Sequence, residues 1–354
     1  MNKIIVILGP TGVGKTEIAV RLAKKFNGEI INADSRQFYR DLVIGTAQPS
    51  EEVFQAVPHH LFKVSSLDDR WDAARFQKEA DRLIRDISGR EKTPFIVGGT
   101  GLYIRALLFG LFSGPAADGK IRENLEKRIG EEGLSALYGE LKKIDPEACK
   151  TIHPNDPVRI IRALEVYRLT GIPISRHQQN HQFEEKIYDY LKLGIRLDRA
   201  ILYKRIEARV DAMISAGLEQ EVASLREKYG DHPTLLRSIG YEEWFPYLSQ
   251  NKPHSGGEGG QAGKLMPEGM RQTARQFDDL PVEGPPNNAA GPPSSLAEAT
   301  RAPKNRHEVI GLIKQNSRNF AKRQLSWFRH EKDIIWFEAG DFRGIETAVG
   351  AFFK

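Results

Sequence analysis

The stretch GPTGVGKT at residues 9–16 constrains the fold more than any other part of the chain. It satisfies the phosphate-loop pattern G-x-x-x-x-G-K-[ST], and it lies between the apolar run KIIVIL and a segment in which Ile18, Leu22 and Phe26 are spaced four apart. An apolar run without alternation is typical of a strand buried on both faces. The sequence therefore predicts a strand–loop–helix unit that binds a diphosphate or a triphosphate.

The residues of this loop have separable tasks. Glycines allow backbone amides to turn toward phosphate oxygens, a lysine reaches the terminal phosphates, and a threonine hydroxyl can ligate Mg²⁺. These tasks are assigned to Gly9, Gly12, Gly14, Lys15 and Thr16. An ATPase or GTPase also needs a strand that ends in aspartate, and the candidate strand PFIV is followed by Gly-Gly-Thr-Gly instead. The loop by itself does not identify its ligand.

The remaining pattern predicts an α/β fold with an insertion. GEIINADS and TPFIVGGTG indicate further buried strands, and strands that alternate with helices favour a parallel sheet. The middle of the chain is charged and helical, and strand-like alternation returns in LKLGIRLD. We therefore predict a P-loop parallel-sheet core with an inserted, mostly helical domain. The predicted boundaries are 1–113 for the first part of the core, 114–190 for the insertion, and 191–250 with 305–354 for the second part of the core.

Residues 251–304 differ from the rest of the chain in composition. They hold eight Gly and eight Pro, and Phe277 is their only aromatic residue. Such a segment buries too little apolar surface to offset the entropy of ordering it, so we predict a disordered insertion.

Charge and composition limit the partners only loosely. The net charge of +5 permits a polyanionic partner without requiring one, and the single cysteine, Cys149, excludes an intramolecular disulfide. No apolar run approaches the roughly 18 residues that a membrane span needs, and a lone thiol fits a reducing compartment, so we expect a cytoplasmic protein with no membrane contact. We also expect a monomer. The adjacent His59 and His60 point apart on a strand or helix, which favours a structural role over metal binding.

Asp34 is the main candidate for chemistry outside the loop. It follows the strand EIINA, at the carboxyl edge where α/β sheets keep their sites. Considered alone, Asp34 could equally be a helix cap or a metal ligand.

Six motifs resemble the tRNA dimethylallyltransferase family, the enzymes that prenylate the adenosine next to the anticodon. In chain order they are GPTGVGKT, ADSRQFYRDLVIGTAQPS, VGGTGLYIRALL, HPNDPVRIIRALEVYRLTG, RSIGYEE and FAKRQLSWFR. They span nearly the whole chain. Two departures stand out: the segment 251–304 has no counterpart in the family pattern, and Gln48 stands where many members have lysine.

The resemblance implies a ligand and a set of roles. The loop would hold the diphosphate of dimethylallyl diphosphate, through Lys15, through Mg²⁺ on Thr16, and through the backbone amides of Thr11, Gly12, Val13 and Gly14. Asp34 would be the general base for the adenine amine. Thr100 would line the channel in which amine and prenyl carbon meet, and Arg209 would lie near the diphosphate, although it could instead be a solvated helix charge.

The resemblance also implies a set of residues that touch the anticodon stem-loop of tRNA, whose target base must leave its stack. The set comprises Asp34, Ser35, Arg36, Gln37, Thr100, Arg122, Arg159, Arg162, Arg237, Ser238, Ile239, Gly240, Tyr241 and Glu242. Arg162 could instead pair with Glu165, three residues further along the same helix.

The last basic helix, NSRNFAKRQLSWFRHEK, adds Arg318 and Lys322 to this set. They share one helical face with Arg329, and Phe320 and Trp327 lie on the opposite face. Five basic residues against one acidic residue suit a phosphate-facing surface. The plainer alternative is an amphipathic helix with its aromatic residues in the core and its charges in water.

Three other functions remain open at this point. An adenylate isopentenyltransferase would share the loop and the base but has less need of the helical insertion. A small-molecule P-loop kinase would turn over ATP, and the GGTGLY sequence after the strand counts against it. An RNA-binding protein with a degenerate loop would not need Lys15, Thr16 and Asp34 intact.

Overall fold

The structure of the protein is a computed structural model that describes residues 2–69, 71–111, 114–115, 117–181, 187–250, 303 and 305–354. The described residues divide into two compact units. The first comprises those within 1–111, 185–248 and 303–354, and the second comprises those within 112–184 and 249–302.

The first unit is built on a six-stranded parallel sheet. Its strands are β1 Lys3–Leu8, β2 Gly28–Asn32, β3 His59–His60, β4 Thr93–Gly98, β5 Asp189–Arg196 and β6 Ile334–Glu338. Their spatial order is β3-β2-β4-β1-β5-β6. The connection that leaves β1 runs toward β2 on one side, and the connection that leaves β5 runs toward β6 on the other. Ligands of α/β proteins bind at such a switch point, beyond the carboxyl ends of the strands.

Helices surround the sheet in the first unit and form the second unit. In chain order they are α1 Lys15–Lys25, α2 Glu51–Ala56, α3 Ala73–Gly89, α4 Gly101–Phe109, α5 Gly119–Glu132, α6 Leu134–Ile144, α7 Pro157–Thr170, α8 Ile174–His181, α9 Arg199–Ser215, α10 Leu218–Tyr229, α11 Trp244–Gln250, α12 Arg306–Arg329 and α13 Phe342–Phe352. None of them, within the described ranges, combines the length and the apolar character that a membrane crossing requires.

Alternation along β1 divides the core of the first unit into two layers. Ile4, Val6 and Leu8 pack on the face covered by α3 and α4, and Ile5 and Ile7 pack on the face covered by α1, α9 and α13. All five side chains are at most 1% exposed, which is why β1 has no polar alternation. The second unit has a separate apolar core, formed within the segment from α5 to α8.

The end of the predicted helical insertion differs from the structure. β5 begins at Asp189, inside the range 114–190 that the sequence assigned to the insertion, so that boundary was placed too late. Tyr188 and Asp189 carry little apolar alternation of their own, and pairing with β1 decides where the strand starts. The predicted disordered insertion at 251–304 lies outside the described residues, apart from Pro303.

The adjacent histidines contact neighbouring protein groups. His59 Nδ1 lies 2.7 Å from the carbonyl oxygen of Val57, and His60 Nε2 lies 2.7 Å from a carboxylate oxygen of Glu29. Among the described residues, no group of three or more His, Cys, Asp or Glu side chains is arranged to hold a metal ion.

Candidate active site

The loop between β1 and α1 depends on glycine at two points. A β-carbon at Gly9 would come within 2.5 Å of the carbonyl oxygen of Ile195 on β5. Gly14 has a φ of 98°, in the left-handed region, and precedes the first residue of α1, Lys15. The loop consequently presents backbone amides at a helix N-terminus, which is a favourable position for an anion.

The other predicted loop residues differ in exposure. Val13 is fully buried, so it can offer a ligand only its backbone, whereas Thr16 is exposed at the start of α1. Gly12 packs under α9, since a β-carbon there would lie 3.1 Å from the side chain of Ile206.

Lys15 folds back over the loop. Its ammonium donates to the carbonyl oxygens of Gly9 at 3.0 Å and Pro10 at 2.9 Å. Burial lowers the pKa of Lys15 from 10.5 to about 8, with the Asp34 carboxylate opposing this shift and the Arg209 guanidinium adding to it. Lys15 is therefore a partly desolvated cation that feels one carboxylate and one guanidinium.

Arg209 reaches the same loop from α9. Its guanidinium donates to the hydroxyl of Thr11 at 3.2 Å and to the carbonyl oxygen of Thr46 at 3.3 Å. Burial lowers the pKa of Arg209, and the Asp34 carboxylate acts in the opposite direction. The helix is fixed here because Leu202, Ile206 and Val210 are buried along its inner face. Arg209 thus lies in the site and is not a solvated helix charge.

Asp34 follows β2 and is oriented by Asn32. The Asn32 side chain accepts from the Asp34 amide at 2.9 Å and donates to the carbonyl oxygens of Asp34 at 3.2 Å and Leu61 at 2.9 Å. One carboxylate oxygen of Asp34 accepts from the Arg36 amide at 3.0 Å. Asp34 itself is half-buried, and its negative charge acts on both Lys15 and Arg209.

Thr100 is bonded to the residues on both sides of Asp34. Its amide donates to the carbonyl oxygen of Ala33 at 3.2 Å, and its hydroxyl oxygen accepts from the Ser35 amide at 3.1 Å. Thr100 directly precedes α4 and follows β4, so two adjacent strands end where Asp34 and Thr100 meet.

These groups form a site that can bind an anion and, next to it, accept a proton. Lys15, Arg209 and the start of α1 can stabilise a phosphorylated anion. Asp34 adds a carboxylate beside that anion-binding region, where it can accept a proton.

The segment Asp34–Gln37 is half-buried and is tied to neighbouring loops. The Arg36 guanidinium donates to the carbonyl oxygen of Arg237 at 2.9 Å, and the Gln37 amide donates to the carbonyl oxygens of Thr46 at 3.1 Å and Ala47 at 3.2 Å. The structure therefore brings together the two predicted tRNA-contact segments, 34–37 and 237–242.

Gln48, the departure from the family pattern, closes the same loop. Its amide donates to the carbonyl oxygens of Gln37 at 2.9 Å, Leu42 at 3.3 Å and Tyr39 at 3.4 Å. The Gln48 side chain therefore stabilises the backbone conformation of this loop.

Not every residue of 237–242 can face RNA. Ser238 is 2% exposed and Tyr241 is 0% exposed. The Tyr241 hydroxyl donates to Glu221 at 2.6 Å, and Glu221 also accepts from the Ile44 amide at 2.8 Å. The prediction of tRNA contact is therefore wrong for the side chains of Ser238 and Tyr241, because they support the loop from inside. Gly240 is buried as well, and Arg237, Ile239 and Glu242 are half-buried.

In the second unit, two of the three predicted tRNA-binding arginines contact a buried carboxylate. Glu165 is 0% exposed, and it accepts from the Arg122 guanidinium at 2.8 Å and from Arg162 at 2.7 Å. The alternative raised for Arg162, pairing with Glu165, is what the structure has. Arg159 pairs with Asp156 at 3.4 Å, next to the start of α7.

Among the described residues, only part of the basic face of α12 is free of ion pairs with other helices and could contact tRNA phosphates. Arg318 forms an ion pair with Glu207 of α9, whereas Lys322 is exposed. For Arg318 the structure therefore favours the alternative, an amphipathic helix whose charged face is not committed to phosphate. Trp327 packs against the apolar core as expected for the opposite face.

Sequence reasoning missed two residues that shape the site, Asn32 and Gln324. Asn32 is 1% exposed within a buried strand, and Gln324 is 6% exposed on the apolar face of α12. A polar side chain at a position whose spacing predicts burial was the signal that could have found them, because buried polar groups need partners.

The chain was compared with known proteins. Residues 37–331 match the family model described as IPP transferase. The chain is 42% identical to tRNA dimethylallyltransferase 1 of Pelobacter propionicus, over 100% of this chain and 98% of that protein. It is 41% identical to tRNA dimethylallyltransferase of Geobacter metallireducens, over 99% and 98% of the two chains.

Solved structures give the same result. The full-length tRNA isopentenylpyrophosphate transferase of Bacillus halodurans is 33% identical and superposes with a TM-score of 0.64, over 99% of this chain and 97% of that one. A eukaryotic dimethylallyltransferase acting on tRNA is 27% identical with a TM-score of 0.69, over 99% of this chain and 77% of that one. The fold and the site are those of a P-loop α/β transferase. The chain belongs to the IPP transferase family, and it is an enzyme of that family.

Proposed function

We propose that this protein transfers the dimethylallyl group of dimethylallyl diphosphate to the exocyclic amine of the adenosine adjacent to the anticodon in tRNA, with release of diphosphate. The observation that carries the proposal is the arrangement of two cations and one carboxylate: Lys15 and Arg209 contact the phosphate loop, and Asp34 lies next to Thr100 at the ends of the neighbouring strands. The Asp34 carboxylate is near enough to oppose the lowering of the pKa of both cations. The names of the relatives supply the acceptor, tRNA, and the donor group.

The proposed reaction needs a proton acceptor near a leaving diphosphate. The lone pair of the adenine amine forms a bond to the first carbon of the prenyl group, and the electrons of the carbon–oxygen bond leave with the diphosphate. The amine then carries one proton too many, and Asp34 takes it. Asn32 and Thr100 hold the backbone around Asp34, which fixes the direction of its carboxylate.

The leaving group gains negative charge as the carbon–oxygen bond breaks. Lys15, Arg209 and the amides of Gly12, Val13 and Gly14 are the donors that stabilise it. The Thr11 amide, which was also expected to contribute, donates instead to the Gln324 side chain at 2.8 Å. Lys15 and Arg209 donate to neutral oxygens in this structure, so their charge is not cancelled by a bonded carboxylate at these contacts.

Mg²⁺ fits the available donor set. The exposed Thr16 hydroxyl is a single hard oxygen ligand, and Mg²⁺ is commonly bound by one or two protein oxygens together with substrate phosphates and water. Thr16 would hold the ion, which supplies positive charge to the diphosphate when bound.

Residues of each unit, taken separately, are proposed to contact the tRNA. In the first unit these are Asp34, Ser35, Arg36, Gln37, Thr100, Arg237, Ile239, Glu242 and Lys322. In the second unit they are Arg122, Arg159 and Arg162, whose ion pairs with Glu165 and Asp156 would have to open or be shared when tRNA binds. Extrusion of the target base from its stack costs roughly a few kcal/mol, which these contacts must offset.

The proposal is tested by prenyl transfer from labelled dimethylallyl diphosphate with two acceptors in parallel, unmodified tRNA and AMP. The variant Asp34→Asn keeps the size of the side chain and removes the base. Asp68→Asn, at an exposed position, is the matched control. We expect transfer to tRNA and not to AMP, lost by at least about 10²-fold in Asp34→Asn and unchanged in Asp68→Asn.

Other outcomes point to other functions. Transfer to AMP alone identifies an adenylate isopentenyltransferase. ATP turnover without any prenyl transfer identifies a kinase and refutes the proposal.

A further inference from the structure

Gln324 is a polar residue on a helix face that is otherwise apolar. It is 6% exposed and lies between Ala321 and Phe328, which are 0% and 1% exposed. A buried side-chain amide is costly unless both its donor and its acceptor are paired.

The Gln324 amide has partners on two different loops. Its oxygen accepts from the Thr11 amide of the phosphate loop at 2.8 Å, and its nitrogen donates to the carbonyl oxygen of Gly99 at 3.0 Å. The fit against the second loop is close, since a β-carbon at Gly99 would come within 2.2 Å of the Gln324 nitrogen.

Each of these loops leads directly to one half of the site. The Thr11 hydroxyl accepts from Arg209, on the side proposed to hold the diphosphate. Thr100 follows Gly99, and its hydroxyl accepts from the Ser35 amide beside Asp34. One amide on α12 therefore joins the anion-binding loop to the loop next to the proton acceptor.

We propose that Gln324 is a positioning residue that fixes the distance between the bound diphosphate and the Asp34–Thr100 pair. The inference rests on the proposed function, because it concerns the alignment of the prenyl carbon with the amine. Misplacement of reacting groups by about 1 Å can cost about 10²-fold in rate.

The helix that carries Gln324 has other anchors. Three ion pairs join α12 to α9 and α10: Arg306 with Glu219, Lys314 with Asp211, and Arg318 with Glu207. Apolar residues of α12 at both ends of the helix are also buried, among them Val309, Ile313 and Phe328. A variant at Gln324 therefore has the contacts it needs to keep α12 folded in place.

The first experiment compares Gln324→Met, which keeps the length and removes both hydrogen bonds, with wild type. We expect kcat for prenyl transfer to fall about 10- to 100-fold, while the Kd for inorganic diphosphate changes less than about 3-fold. Each loop keeps its own ligand groups in the variant, and only their mutual alignment is lost. Diphosphate affinity that falls as far as kcat would mean that Gln324 merely supports the phosphate loop, and it would overturn the proposal.

The second experiment uses Gln324→Glu across pH 6 to 8.5. An ionised glutamate cannot donate to the Gly99 carbonyl, whereas a protonated one can donate and accept as glutamine does. Burial raises the pKa of a carboxyl group, so the protonated form returns as the pH falls. We expect the ratio of variant to wild-type kcat to rise at least about 5-fold from pH 8.5 to 6. A ratio that does not change with pH contradicts the proposal.

Gln315→Glu is the control, because Gln315 is exposed on the same helix. Its ratio to wild type should stay near one throughout. If wild-type protein fails to prenylate tRNA, the proposed function fails; if wild type is active and Gln324→Met equals it, only the role of Gln324 fails.

Discussion

The cations of the phosphate loop and those of the predicted tRNA surface differ in what they contact. Lys15 and Arg209 donate to backbone carbonyls and to a threonine hydroxyl, all of them neutral oxygens. Arg162 and Arg318 donate to carboxylates. A cation bonded to neutral oxygens keeps its charge for an anionic ligand, whereas a paired cation is largely neutralised. The kind of oxygen that a cation contacts therefore says more about its availability to a ligand than a count of basic residues.

Lys15→Met gives the strongest test of whether a cation bonded to neutral oxygens serves the anionic ligand. We expect kcat/KM for prenyl transfer to fall by about 10³-fold or more, because the leaving diphosphate loses a desolvated cation. The melting temperature should not fall, since burial lowers the pKa of Lys15 and so disfavours its charged form in the folded state. Steady-state kinetics and thermal unfolding of the same preparation check both parts.

Lys204→Met, at an exposed position on α9, is the matched control for the loss of one positive charge. A drop in melting temperature of several degrees in Lys15→Met alone would show that Lys15 stabilises the fold, which would contradict its role as a cation kept for the ligand.

The phosphate-loop half of the site could be predicted because its geometry is local in sequence. Gly9, Gly14 and Lys15 are adjacent, so one motif fixes the backbone turn and the helix start together. The strand–loop–helix unit and the parallel sheet were predicted for the same reason, from short apolar runs, and the structure confirms the α/β fold with its helical unit.

The other contacts join residues far apart in the chain. Gln324 and Thr11 are 313 positions apart, and Arg122 and Glu165 are 43 apart. A single sequence carries no record of such pairs beyond a polar residue at a buried position. The sequence could place Arg209 on a helix, and only the packing of α9 against Gly12 brings its guanidinium to Thr11.

Glu165→Gln tests whether the arginines paired with this carboxylate stabilise the second unit. The buried carboxylate accepts from Arg122 and Arg162, and two guanidinium groups lose their counter-charge in the variant. We expect the free energy of unfolding of the second unit to fall by about 2–4 kcal/mol. Denaturant unfolding followed by hydrogen exchange of α5 and α7 measures it.

Glu131→Gln, whose carboxylate is exposed and pairs with Lys127 at 3.7 Å, should change stability by less than about 0.5 kcal/mol. Equal effects of the two variants would mean that the Glu165 cluster is not a structural element.

The pH dependence of diphosphate binding follows from the pKa of Lys15. The protonated ammonium binds the anion, and its pKa of about 8 means that it loses its proton as the pH rises above 8. We expect the affinity for dimethylallyl diphosphate to weaken about 5-fold from pH 8 to 9, as the protonated fraction of Lys15 falls from about one half to about one tenth. Calorimetric titration at each pH measures this, and the same series on Lys15→Met removes the contribution of the ligand's own titration. If the affinity ratio of wild type to variant stays constant above pH 8, the loss of affinity is not due to deprotonation of Lys15.

The smallest effect separates two basic residues four apart on α12. Arg318 is paired with Glu207, and Lys322 is exposed. We expect Arg318→Gln to change the Kd for tRNA less than about 2-fold and to leave its salt dependence unchanged. Lys322→Gln should reduce the slope of log K against log salt by about 0.7–0.9, the amount lost with one phosphate contact. Filter binding of tRNA between 50 and 300 mM salt distinguishes the two. An equal loss of slope in both variants would show that the ion pair opens when tRNA binds, so that pairing in the free protein does not remove a cation from the interface.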